Sequence, residues 1–117
     1  MYMLKNNVLR KDADFNRVYN KGKKIHGKYV VIFCLKNGME FDRIAYIASK
    51  KVGNSVHRNR ARRLMRESMR LIPREQSGHD FVLVAKNSIN DGKCADVKKS
   101  IESALKKLRI INDEEKK

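Results

Sequence analysis

The sequence predicts an α+β fold, a two-layer sandwich in which helices cover one sheet, and three observations lead there. Two stretches, 29–35 and 80–86, are short runs rich in β-branched and aromatic residues, the composition of strands. Two others, 55–72 and 95–109, place apolar residues three and four apart, the spacing of a helix with one dry face. At 117 residues there is room for one core, and no repeat or low-complexity segment suggests a second domain.

The first helix falls within 11–22. Asp12 is its expected N-cap and Gly22 its terminating residue, with Phe15, Val18 and Tyr19 sharing one apolar stripe. After the strand at 29–35, Asn37-Gly38 signals a turn into a second strand within 41–49, and the two are expected to pair as a hairpin. Gly53 lets the chain turn from strand into the helix at 55–72. At about 100° per residue, Ala61, Leu64, Met65, Ser68, Leu71 and Ile72 fall in one arc of that helix. Arg58, Asn59, Arg62, Arg63, Arg66 and Arg70 fall in the opposite arc, with Arg60 and Met69 at the borders. Pro73 and Gly78 break the chain before the strand at 80–86, and a loop occupies 87–92. The last helix, 95–109, carries Val97, Ile101, Ala104, Leu105 and Leu108 at helical intervals. The order is helix, strand, strand, helix, strand, helix, with room for a further short strand. Residues 1–117 are read as a single domain, flexible at about 1–8 and 110–117.

Charge points to the partner. With 28 Lys+Arg against 13 Asp+Glu the formal net charge is +15, and the sequence pI is near 10.1. From Lys50 to Arg70 eight basic residues face one acid, Glu67. A merely solvated helix face interleaves both signs, whereas a face of one sign repels itself unless a polyanion binds it. Arginine in preference to lysine, with Asn59 embedded among them, suits phosphate and sugar contacts. A basic membrane-surface helix is disfavoured because the chain has no Trp and its dry arc is built of small and medium residues. No run approaches the roughly 20 apolar residues that cross a bilayer, and the N-terminus lacks the apolar stretch of a signal peptide. A cytoplasmic protein without membrane contact is expected. Cys34 and Cys94 form neither a metal spacing nor a disulfide framework and read as structural or incidental.

Catalytic chemistry is poorly represented. A protein ribonuclease usually brings two His and a Lys to one phosphate, but nothing in the spacing of His26, His57 and His79 shows that any two converge. The acids are scattered, so no carboxylate cluster suggests a metal nuclease, and no phosphate loop of the P-loop type is present. Phe15, Tyr19 and Phe33 are either ordinary core or the lining of a groove that stacks unpaired bases. In the second case Lys50, Lys51 and Lys86, at strand ends, would meet the phosphates.

The residues Asp14-Phe15-Asn16-Arg17-Val18-Tyr19, Ser49-Lys50-Lys51-Val52-Gly53-Asn54 and Arg58-Asn59-Arg60-Ala61-Arg62-Arg63-Leu64-Met65-Arg66, with the strand ending Ala85-Lys86, resemble the protein component of bacterial ribonuclease P. The resemblance spans nearly the whole chain. It implies the non-catalytic subunit of an endoribonuclease that removes the 5′ leader from precursor tRNA, with the chemistry and its magnesium ions on a catalytic RNA and no catalytic or metal-binding residue on the protein. It assigns Arg58, Asn59, Arg60, Arg62, Arg63 and Arg66 to the catalytic RNA. Phe15, Tyr19 and Phe33, with Lys50, Lys51 and Lys86 along the edge, are assigned to a cleft for the single-stranded leader, which favours groove over core. It also implies one protein per RNA and a mixed sheet with a left-handed β-α-β crossover, against the usual right-handed rule. Ala45, Ser55, Ala61, Arg62 and Tyr19 depart from the commonest family residues, in each case by a small or charge-preserving change. The same size and charge also suit a ribosome-associated or general RNA-chaperone protein, the alternative reading.

Overall fold

The computed structural model describes residues 8–9, 11–74 and 78–108. Its elements are α1 (Asp12–Lys21), β1 (Lys23–His26), β2 (Val30–Lys36), β3 (Arg43–Ile47), α2 (Ser55–Leu71), β4 (His79–Ala85), a 3-10 helix (Asn87–Asp91) and α3 (Cys94–Lys107). The four strands form one mixed sheet in the order β1-β2-β4-β3. β1 and β4 run antiparallel to β2, while β3 and β4 are parallel neighbours. The two terminal segments expected to be flexible lie outside the described residues except for Val8, which instead forms a parallel bridge to Ile44.

The expected hairpin between 29–35 and 41–49 does not form. β4 lies between those strands, and the turn at Asn37-Gly38 serves it. Gly38 takes the left-handed conformation (φ 74°), the Asn37 N–H donates to Gly78 O at 2.8 Å, and Asn37 Nδ2 donates to Asp80 Oδ1 at 2.9 Å. The reason is burial: every β4 residue but Val84 is buried, so both of its edges must be paired, and a central position satisfies that. The true hairpin partner of β2 is β1, the further short strand, whose Lys23-Lys24-Ile25-His26 sequence is charged and mostly exposed. Lysines on an edge strand also block pairing with another chain.

α2 and α3 pack side by side on one face of the sheet. Met65, Met69, Ile72, Ile101 and Leu105 meet Ile32, Phe81 and Leu83 there. Asn54 caps α2, its side chain accepting the His57 N–H at 3.1 Å. The predicted dry arc holds with one exchange: Met69 is buried, while Leu71, the last helical residue, is 48% exposed. Ile72 leaves the helix at that point and fills the core in its place. Ser68, the polar member of the arc, donates its hydroxyl to Leu64 O at 2.7 Å, so its burial leaves no donor unanswered.

α1 crosses the opposite face, over β2 and β4, and buries only Val18. Lys11, not Asp12, occupies its N-cap; Asp12 and Asp14 sit in the first turn, where carboxylates favour the positive end of the helix. Gly22 ends it as expected, and any Cβ there would collide with the carbonyls of Val18 and Cys34. Phe15 and Tyr19 add partly buried contacts to the cluster beneath and to Phe33, and a polar network also ties α1 to the sheet. Asp80 on β4 is fully buried and accepts from Arg43 Nη2 at 2.7 Å, Arg43 Nε at 2.9 Å and Arg17 Nη2 at 3.2 Å, while Arg17 and Arg43 each also reach Asp14 at 3.3 Å. Burial alone would raise the Asp80 carboxyl, but hydrogen bonds from Arg43, Asn37 and Arg17 outweigh it and hold the group below its ordinary value.

Breaking a buried charge network strands the remaining charges, so Asp80→Ala is expected to destabilise the fold by about 3 kcal/mol in chemical denaturation. The depressed folded pKa makes the contribution of Asp80 fully present above the unfolded carboxylate value, near pH ~4, and lost as pH falls through the folded value. Stability of the wild-type chain should therefore fall more steeply below about pH 4 than that of Asp80→Ala. Parallel curves would contradict the network's role.

Candidate nucleic-acid interface

On the α1 face, neighbouring strands align their side chains in rows. Phe33 lies opposite Val82 and Val82 opposite Ala45; the next row is Val31, Val84 and Ile47. Val31, Phe33, Val84 and Ile47 are partly exposed, forming an apolar floor beside the helix. Phe15 and Tyr19 stand along α1, their ring centroids 6.3 Å apart, and Tyr19 meets the edge of Phe33 at 4.9 Å. The three predicted aromatics thus form one wall and floor. Phe15 and Phe33 also pack on the small cluster of Leu9, Val18, Ala45 and Val82, so they serve the core and the groove at once. Tyr19 is 40% exposed, and partial burial pushes its phenol up, which keeps the hydroxyl protonated as a donor.

β3 and β4 end at the same edge of the sheet, where β2 begins, so Lys50, Lys51 and Lys86 gather at one end of this floor. Lys50 and Lys51 are exposed in the turn between β3 and α2. Lys86 differs: its ammonium donates to Gly27 O in the β1–β2 turn, which ties it to the protein. Lys24, whose ammonium lies 5.3 Å from the Phe33 ring centroid, was not singled out from sequence. Its alternation with Ile25 in a short lysine-rich segment was the available signal, masked by the segment's charge.

The arginines of α2 are not equivalent. Arg63 and Arg66 are exposed, as is Asn59, whose Oδ1 accepts from Arg62 Nη2 at 2.6 Å. Arg58 is partly buried, and its Nε has no partner among the described residues. Arg60 turns inward and donates to Ile89 O at 3.3 Å and Gly92 O at 2.9 Å, joining α2 to the 3-10 helix. Arg66 lies over the Tyr46 ring at 5.5 Å and borders a cavity of about 340 Å3 at the β3 edge, with Phe15, Leu9, Ile44 and Ile47 among its other walls. The basic helix and the aromatic groove therefore meet along β3. Tyr46 and Ile47 complete that junction; their alternation in 41–49 could have marked them, but which strand forms the sheet edge is a tertiary fact.

The histidines do not assemble. His26 pairs with Val31 on edge strand β1, His57 opens α2 beyond the opposite edge strand, and His79 is buried on the α2 and α3 face at the far end of β4. His79 Nδ1 has no partner among the described residues, and burial pushes its pKa down, so it sits neutral in the core. Among the described residues no group of three or more His, Cys, Asp or Glu could hold a metal ion, and no described helix is long and apolar enough to cross a membrane. Cys34 is buried, its thiol pushed up to about 12 chiefly by that burial, and Cys94 is exposed; both are free.

The family model described as Ribonuclease P matches residues 3–109. Ribonuclease P protein components from Alkaliphilus oremlandii (41% identical, covering 91% of this chain and 94% of the relative) and Clostridioides difficile (42%, covering 87% and 91%) are similar over most of their lengths. In structure the chain is similar to a Staphylococcus aureus RNase P protein mutant with defective mRNA degradation activity (TM-score 0.86, 28% identity, 94% of each chain covered). It is also similar to the RNase P protein from Thermotoga maritima (TM-score 0.73, 27% identity, 86% and 96% covered). With an aromatic groove, a basic helix and this breadth of similarity in both sequence and architecture, the chain belongs to the ribonuclease P protein family.

Proposed function

We propose that this chain assists a catalytic RNA in removing the 5′ leader from precursor tRNA, as one protein bound to one RNA, while the RNA and its magnesium ions carry out the hydrolysis. The observation that carries this reading is the junction at Arg66, where a one-signed basic helix adjoins an aromatic groove. The exposed face of α2, with Arg58, Asn59, Arg62, Arg63 and Arg66, binds phosphates and sugars of the catalytic RNA. Phe15, Tyr19 and Phe33 stack unpaired leader bases, and Lys50 and Lys51 neutralise the leader backbone at the end of the floor. Lys86 acts mainly by fixing the β1–β2 turn beside them.

Cleavage of a leader-bearing precursor tRNA at low magnesium, with RNA alone, protein alone and the mixture, tests the reading. Activity in the mixture alone is expected. Cleavage by the protein alone would overturn it, and protein that co-purifies with ribosomal subunits without affecting leader removal would favour the RNA-chaperone alternative. Phe15→Ala should weaken binding of leader-bearing precursor by roughly tenfold or more, from a stacking loss of about 1–3 kcal/mol, with little change for mature tRNA. Equal losses on both would remove the groove from leader binding. Arg60 and Arg63 should separate stability from affinity. Losing two carbonyl contacts, Arg60→Ala is expected to lower unfolding stability by about 1–3 kcal/mol, whereas Arg63→Ala leaves stability within about 0.5 kcal/mol and lowers catalytic-RNA affinity.

A further inference from the structure

A second cavity, about 410 Å3, lies away from the groove, between the β1–β2 turn and α3. Its volume is in the range of about 300–1,000 Å3 typical of ligand sites. One wall is a stripe of α3 at spacings of three and four residues: Asp96, Lys99, Ser100, Ser103 and Lys107. The other is the turn itself, with Gly27 and the exposed Lys28. None of Lys28, Lys99 and Lys107 takes part in an ion pair among the described residues. Asp96 is the single acid of the lining, and its Oδ2 already accepts the Lys93 N–H that opens α3. Three ammonium groups against one carboxylate, with two hydroxyls, around one concavity supply the donors and the positive excess a phosphodiester needs.

The cavity is also held open and in place. A Cβ on Gly27 would lie 3.0 Å from Ser100 Oγ and 2.9 Å from Val30 O, so the bare backbone approaches α3 where a side chain would be forced into the space between. The turn is fastened to the segment after β4: Ser88 Oγ donates to Lys28 O at 2.7 Å, the Lys86 N–H to Tyr29 O at 2.8 Å, and the Lys86 ammonium to Gly27 O. Arg60 of the basic helix is held by Ile89 and Gly92 of the same segment, so cavity and helix are positioned against one support. Because α2 and α3 share one face of the sheet and the aromatic groove lies on the other, an RNA on the outside of α2 has the cavity on its own side of the molecule.

We propose that this cavity is a phosphate site for the backbone of the catalytic RNA, a contact additional to the α2 face; it rests on the function proposed above. The test is affinity for the catalytic RNA across a series of salt concentrations, for the full wild-type chain, for Lys99→Gln/Lys107→Gln, and for Lys11→Gln/Lys36→Gln. The last pair removes the same charge from exposed positions elsewhere. Each lost phosphate contact lowers the slope of log affinity against log salt by about one, so the cavity variant should lose about two units of slope while the control keeps the wild-type value. Precursor tRNA binding by holoenzyme assembled at saturating protein should be unchanged for the cavity variant. Equal slopes for the two variants, with wild-type binding intact, would overturn the site alone. A loss seen only with precursor tRNA would assign the cavity to substrate and equally overturn the proposal. Failure of the wild-type chain to bind the catalytic RNA would overturn the functional reading and the site together.

Discussion

Asp80 has no exposed surface, yet three separate parts of the fold close on it: Arg17 from α1, Arg43 from β3 and Asn37 from the turn after β2. The groove depends on this carboxylate because the apolar contact of α1 with the sheet is one stripe, Phe15, Val18 and Tyr19, of which only Val18 is fully buried. An isolated buried carboxylate would be very costly; here it is compensated by two guanidinium groups and an amide, and the geometry of those donors sets where α1 lies. The aromatic wall follows, since Phe15 and Tyr19 point wherever the helix carries them. A helix held by a polar pin and one narrow apolar stripe leaves Val31, Phe33, Val84 and Ile47 beside it partly exposed, and that floor is what an unpaired strand requires.

The second organising contact is the short 3-10 segment between β4 and α3. Besides Arg60 and the β1–β2 turn, it holds the turn that carries Lys50 and Lys51, through Asn90 Nδ2 donating to Val52 O at 2.7 Å. These bonds run between loops that each bury one apolar side chain in the core, Ile89, Val52 and Tyr29, while their cations face outward. For a chain of net charge +15 such ties matter, because repulsion among neighbouring cations favours any loosening of the loops that bear them. The structure meets this by giving some cations internal partners, as with Arg17, Arg43, Arg60, Arg74 and Lys86, and leaving others, such as Arg63 and Lys99, outward with no ion pair among the described residues. That division separates cations that build the fold from those available to a polyanion.

Sequence reading went furthest where one element carries its own pattern. The basic helix, expected over 55–72 and found over Ser55–Leu71, and nearly all of its dry arc followed from periodicity, because a helix presents faces that depend only on its own spacing. Phe15 and Tyr19 were legible as a stripe for the same reason. Reading failed where a strand's neighbours mattered. Residues 29–35 and 41–49 carry a strong hairpin signal, yet what pairs with β2 is decided by β4, some 40 residues later, whose burial on both faces demands a central place. Lys23-Lys24-Ile25-His26 carries no strand signal of its own, because an exposed edge strand needs no apolar alternation.

The sequence by itself therefore determined the element types, the single sign of the α2 face and the kind of partner that face suits, all properties of local spacing and charge. Only the tertiary structure decided which arginines are spent inside the protein, as Arg60 is, and that Arg66 reaches the edge of the aromatic groove. It also decided that Lys99 and Lys107 come to share a cavity with a turn some 70 residues earlier. The physical reason is common to all three: side-chain direction within an element follows from sequence periodicity, but what lies opposite is set by long-range burial and by buried charges finding their partners.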